Sequence, residues 1–209
     1  MDTLHPVLPH HRAIVAVDIE GSTTRTNPAR AQLRHVLYDL LEEALRASGI
    51  DEQHRDPFID RGDGALVLIH PVDQAPKTVL LTTVIPTLSE LLAQHAALRP
   101  DHRFRLRAAV HAGEVHYDSR GCYGEDIDIT FRLLNAPELK RALRRTLAPL
   151  VLVVSQDIHR SVIRHGYDGI DDRAFEPLVH VQMAGQRLRG WVHVPDPKGF
   201  SVNGQDLTA

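Results

Sequence analysis

The chain has 209 residues, is 43% hydrophobic and sets 24 Lys+Arg against 27 Asp+Glu, for a formal net charge of -3. That suffices for one domain with a proper core, and the near balance excludes the global basic field that holds nucleic acid or an anionic membrane. A single cysteine, Cys122, excludes an intrachain disulfide framework and a multi-cysteine metal site.

No apolar stretch approaches the roughly 20 residues of a spanning helix. The first residues, MDTLHPVLPHHR, have neither the charged start nor the apolar core of a leader. The expectation is a soluble, cytoplasmic protein with no nucleic-acid or membrane partner. The 14 histidines, His10, His11, His35, His54 and His70 among them, are scattered without the spacing that metal-ligand geometry requires.

In chain order, residues 1–11 read as a tail. Ala13 to Val17 is a continuous apolar run ending in Asp18, which suits a strand buried on both faces and open at its C-terminal end. Asn27 as a cap with Pro28 at the first helical position opens a helix carrying Leu33, Val36, Leu37, Leu40, Leu41, Ala44 and Leu45, closed near Gly49. Phe58-Ile59 and Ala65 to Ile69 flank Asp60-Arg-Gly-Asp-Gly64, a hairpin that puts Asp63 at its tip. Residues 76–98 have helical spacing, with Pro86 expected to kink or break them. Phe104, Leu106, Ala108 and Val110 alternate as a strand that runs into His111-Ala-Gly-Glu-Val115. The order βαββαβ is the ferredoxin-like arrangement, an α+β fold with helices on one face of the sheet.

Beyond a loop at 118–124, Glu125 to Leu134 is helical in period, and Pro137 opens a second helix. Leu150 to Val154 is a buried strand, and Ser155 to Arg164 a serine-capped helix. Strands near 178–183 and 191–194 close the sheet, and 195–209 reads as a tail.

Four motifs carry the chemistry: Asp18-Ile-Glu-Gly-Ser-Thr23, Gly62-Asp63, His111-Ala-Gly-Glu-Val115, and Gly124 with Asp128 and Arg132 on the following helix. Their kinds and order resemble the catalytic domains of the class III nucleotidyl cyclases over residues 12–194. The resemblance implies that Asp18 and Asp63, with Ile19, hold two divalent cations, Mg2+ or Mn2+. It also implies that Ile19, Gly21, Ser22 and Thr23 cradle the triphosphate of a nucleoside triphosphate substrate. Asp128, where the family has asparagine, would stand at the ribose, and Arg132 would offset charge at the α-phosphoryl group from the other subunit of a homodimer.

The residue types suit such work: paired carboxylates can bridge two cations, and a guanidinium can meet a phosphoryl group in two places. Taken singly they have blander readings. Asp18 could cap a turn, Asp63 could serve the hairpin, and Arg132 could pair with Asp128 four residues earlier. The family's purine-selecting positions fall on Ile59 and Gly121, which offer no base-reading groups. The chain shares that loss with bacterial pyrimidine cyclases of phage defence. Arg187 or Arg189 would stand in for a phosphate-gripping lysine. The rival expectation is a degenerate cyclase-fold module that binds nucleotide or dimerises without turnover.

Overall fold

The computed structural model describes residues 8–167 and 169–195. The expected tails, before residue 8 and from residue 196 on, lie outside the described residues. The first strand begins at His10, so the expected tail boundary at residue 11 falls inside it.

Eight strands form one sheet: β1 His10–Ile19, β2 Ile59–Asp60, β3 Gly64–Ile69, β4 Leu106–Asp118, β5 Gly121–Tyr123, β6 Leu150–Ser155, β7 Glu176–Met183 and β8 Gln186–His193. The order is β2-β3-β1-β4-β6-β8-β7, with β5 paired to β4. Among the described residues only the β4–β6 pairing is parallel. The first four strands hold the ferredoxin-like order expected from the sequence.

Helices cover both faces, which is why the central strands read as unbroken apolar runs. Successive residues of β1 go to opposite sides: Val15 and Val17 join one core, Ile14 and Ala16 the other. On the first side lie α1 (Asn27–Ala47), the helical segment α2 (Lys77–Val79) to α3 (Ile85–Leu98), and α6 (Gln156–Ser161). On the second lie α4 (Glu125–Leu134) and α5 (Pro137–Arg145), with Ile127, Leu133, Leu139 and Leu143 buried. The expectation of helices on one face holds for the ferredoxin-like core, and the later helices cover the other.

Two local expectations need correction. Thr26, not Asn27, occupies the cap position of α1, and Asn27 is already helical. Pro86 does not break its segment. A π turn over Leu80–Val84 precedes it, with the Ile85 N–H reaching back five residues to the Leu80 carbonyl. The wider turn makes room for a ring that would otherwise press on the carbonyl four residues before it.

Candidate active site

Asp18 lies near the end of β1, paired with Gly64 on β3 and with Arg107 on β4. The hairpin tip is pinned from outside: the Arg34 guanidinium on α1 donates to Asp60 Oδ1 at 2.7 Å and to the Gly62 carbonyl. The hydrogen bond from Arg34, joined by one from the Gly62 N–H, holds the Asp60 carboxyl down to about 2. So clamped, the tip delivers Asp63 beside Asp18. Both line one cleft of about 380 Å³ with Arg61, Arg107 and Asn135.

Neither carboxylate plays its bland role. Asp18 takes an ion pair from Arg107, and Asp63 Oδ2 accepts from the Ser22 hydroxyl. Burial pushes the Asp18 carboxyl above the usual carboxylate range; Arg107 opposes that, and the neighbouring charge of Asp63 adds to it. Two half-buried carboxylates that resist sharing negative charge make a donor set suited to cations. Among the described residues no cluster of three or more His, Cys, Asp or Glu could hold a metal ion, so any cation must draw further ligands from backbone or substrate.

The loop after β1 departs from expectation at Ile19. Its N–H donates to the Asp63 carbonyl at 2.9 Å, and the next N–H, of Glu20, donates to Arg105 at 2.9 Å. Strand pairing continues one step further than the motif suggested, so the Ile19 amide has no bond to give a phosphate. What Ile19 can present to a cation is its carbonyl oxygen. Gly21 then turns the chain with φ 65, a left-handed conformation that suits glycine. The N–H groups of Gly21, Ser22 and Thr23 meet no backbone carbonyl among the described residues.

Asp128 and Arg132 are exposed on α4 and do not line the cleft of the carboxylates. Asp128 borders a second cleft of about 590 Å³ with Arg61, Tyr123 and Phe131. Arg132 lines neither cleft, and its Nη1 lies 3.4 Å from the Gln182 carbonyl on β7. The Asp128–Arg132 ion pair of the blander alternative is absent among the described residues. Arg61 spans both clefts, its guanidinium 4.8 Å from the centre of the Phe131 ring. Ile59 packs half-buried on β2, and Gly121 lies on β5. Arg187 and Arg189 are exposed on β8, opposite Gln182 and His180. Burial pushes the Cys122 thiol up, which disfavours a nucleophilic thiolate.

Arg107 was missed by sequence reasoning. It is 9% exposed, sits between Asp18 and α4, and donates to the Leu134 carbonyl at 3.3 Å. A basic residue on a strand that faces a metal-type aspartate was the available signal, but only the strand register makes it visible.

No model of a known protein family matches the chain, and no curated protein matches it. Solved structures do. An adenylate/guanylate cyclase/hydrolase from Silicibacter pomeroyi aligns at 16% identity and TM-score 0.63, over 90% of this chain and 98% of that one. The adenylyl cyclase CyaB from P. aeruginosa aligns at 12% identity and TM-score 0.58, over 91% and 97%. A guanylate cyclase domain from Catenaria anguillulae, solved in complex with GTP, aligns at 10% and 0.58, over 90% and 98%. This chain has the catalytic-domain fold of the class III adenylate and guanylate cyclases.

Proposed function

We propose that residues 12–194 form a nucleotidyl cyclase domain that converts a nucleoside triphosphate to a 3',5'-cyclic monophosphate and pyrophosphate, at sites shared by two copies of the chain. The observation that carries this reading is the pair Asp18 and Asp63, brought side by side in one cleft from strands that meet only in the folded sheet. The cyclase fold supports it.

In the reaction the ribose 3'-oxygen bonds to the α-phosphorus, the bond to the β-phosphate oxygen breaks, and the hydroxyl proton leaves to solvent. Asp18, Asp63 and the Ile19 carbonyl would hold Mg2+ or Mn2+, which supply positive charge for the reacting oxygens and the triphosphate. The amides of Gly21, Ser22 and Thr23 meet terminal phosphate oxygens. Arg107, released from Asp18, turns its guanidinium to the same anion. Asp128 accepts a hydrogen bond from a ribose hydroxyl, and Arg132 of the partner subunit meets charge at the α-phosphoryl group.

Ile59 and Gly121 leave the choice of base open, pyrimidines included. The charge of Asp128, close to where a triphosphate would lie, favours a second reading, a module that binds nucleotide without turnover.

Separate incubations with ATP, GTP, CTP and UTP in Mn2+, with Asp18→Ala as the blank, test the activity and find the base. The shared site is tested by mixing Asp63→Ala with Arg132→Ala protein. Random exchange puts both lesions in one site of each mixed dimer and none in the other, so about a quarter of wild-type activity returns. No recovery, with exchange demonstrated, sinks the shared site; bound nucleotide with no product from any of the four favours the second reading.

A further inference from the structure

The His111-Ala-Gly-Glu motif has no part in the reaction just described, yet His111, Gly113 and the Glu114 amide converge on one side chain of α4. Asp126, in the first turn of that helix, reaches down to β4. Its Oδ1 lies 2.8 Å from His111 Nε2, and its Oδ2 accepts from the Glu114 N–H at 2.6 Å. His111 is fully buried, and its Nδ1 lies 2.7 Å from the Ser155 hydroxyl. Ser155 in turn accepts from the Ile158 N–H as the cap of α6. One proton arrangement satisfies the set: Ser155 donates to Nδ1, and Nε2–H donates to Asp126. Gly113 leaves the space, since a Cβ there would come within 2.0 Å of the Asp126 Cγ.

Serine, histidine and aspartate in a row suggest a nucleophile, but the location argues otherwise. Ser155 is 3% exposed, its hydroxyl caps a helix, and it borders none of the clefts described above. The network reads instead as a fastening. Arg107 and His111 stand four residues apart on the face of β4 that α4 covers, and each holds one end of the helix: His111 takes Asp126, and Arg107 takes the Leu134 carbonyl. The lengths agree, since four strand residues span about 13 Å and the eight helical steps from Asp126 to Leu134 about 12 Å. The Arg107 tie shares its guanidinium with Asp18. The Asp126 tie is independent of the carboxylates, and the Thr130 hydroxyl, bonded to the Asp126 carbonyl at 2.7 Å, braces it.

We propose that Asp126, held by His111, the Glu114 amide and the space at Gly113, is a positioning residue for cyclisation: it fixes the helix that presents Asp128 and Arg132 to the partner's carboxylates. This rests on the shared-site reading above. Burial raises the Asp126 carboxyl, and the hydrogen bonds from His111 and Glu114 more than offset it, so it stays ionised as the fastening requires.

The test uses the 209-residue chain and six variants. Asp126→Ala lowers kcat by about ten- to a hundredfold, the scale of a misplaced catalytic group. KM for the nucleotide changes by less than about threefold, because the carboxylate half of each site is untouched. Asp126→Asn recovers most of the rate, keeping an acceptor for Glu114 and offering a donor to Nε2 once the imidazole proton moves to Nδ1. Gly113→Ala alone mimics the loss, but added to Asp126→Ala it costs nothing more, since the carboxylate it would strike is gone. Mixed with Asp63→Ala, Asp126→Ala protein recovers about a quarter of wild-type activity; mixed with Arg132→Ala it recovers none, because each site of the mixed dimer then carries one helix lesion.

A protomer merely unfolded by Asp126→Ala rescues neither partner, and that outcome overturns the proposal, as does an Asp126→Ala enzyme with wild-type kcat. If wild type is active and Asp63→Ala complements Arg132→Ala while Asp126→Ala fails with Asp63→Ala, the fastening falls and the shared site stands. If Asp63→Ala and Arg132→Ala fail together, the shared site falls and takes the fastening with it.

Discussion

At the scale of single residues, the site is organised by arginines. Arg34 sets the hairpin tip from α1, and its bond to Asp60 makes that carboxyl a readable probe. A carboxyl held low adds stability above its unfolded value near 4, and that contribution fades as pH falls toward the folded value of about 2. An NMR titration should find the Asp60 midpoint near 2 in wild type and higher in Arg34→Ala, short of the unperturbed value because the Gly62 N–H still donates to it; an unmoved midpoint would remove Arg34 as the clamp. Arg107 is the counter-charge of Asp18. Arg107→Ala leaves a largely buried carboxylate alone, at a cost of about 3 kcal/mol. Because a divalent cation can replace the lost charge, Mn2+ should raise the melting temperature of Arg107→Ala more than that of wild type. Equal shifts would separate Asp18 from cation binding. Asp18 was legible because it ends an apolar run at small residues, and Asp63 because it stands between glycines at a hairpin tip. Arg107 was not: Arg105 and Arg107 alternate with Leu106 and Ala108 like the wet side of any strand, and the helix that covers Arg107 comes about twenty residues later. Nor does the sequence reveal that the Ile19 amide is spent on the Asp63 carbonyl, a bond across 44 positions that depends on register alone.

At the scale of elements, local pattern located nearly every strand and helix, because double burial of β1, β3 and β6 and the leucine spacing of α1 leave little choice. What it could not supply was close approach between elements. Gly64 reads as a turn glycine after Asp63, yet a Cβ there would come 2.1 Å from the Val17 carbonyl oxygen on the neighbouring strand. Its need is contact, not conformation. Since Gly64 pairs directly with Asp18, Gly64→Ala must push β3 from β1 where the two carboxylates meet. The expected result is a loss of about 1 to 3 kcal/mol in a melt or denaturant titration, with cyclase activity falling further than the stability change explains. A variant with wild-type activity would show that the spacing of β1 and β3 is not what sets the carboxylates. Pro86 teaches the same point: the sequence announces a disturbed helix, and the rest of the chain decides that a widened turn absorbs it.

At the scale of the whole molecule, both faces of the sheet are covered, and the proposed functional groups lie in two separate places. Asp18 and Asp63 share one cleft; Arg132 points elsewhere, toward the carbonyl of Gln182. Nothing in the periodicity of the chain announces a second copy. The separation itself makes the argument. If the reaction needs Arg132 beside carboxylates with which it shares no cleft in its own protomer, and only a partner's Arg132 completes the site, then a monomer is inactive and the rate measures dimers. Well below the dimer dissociation constant the dimer concentration follows the square of protein concentration, so specific activity falls about tenfold for each tenfold dilution. Above that constant it levels off. Initial rates over a dilution series, set against sedimentation of the same samples, give both curves, and the fall in rate should coincide with the appearance of monomer. A rate that stays proportional to protein concentration where sedimentation finds only monomer would mean that one chain completes its own site, and Arg132 would have to swing inward on α4 to do it.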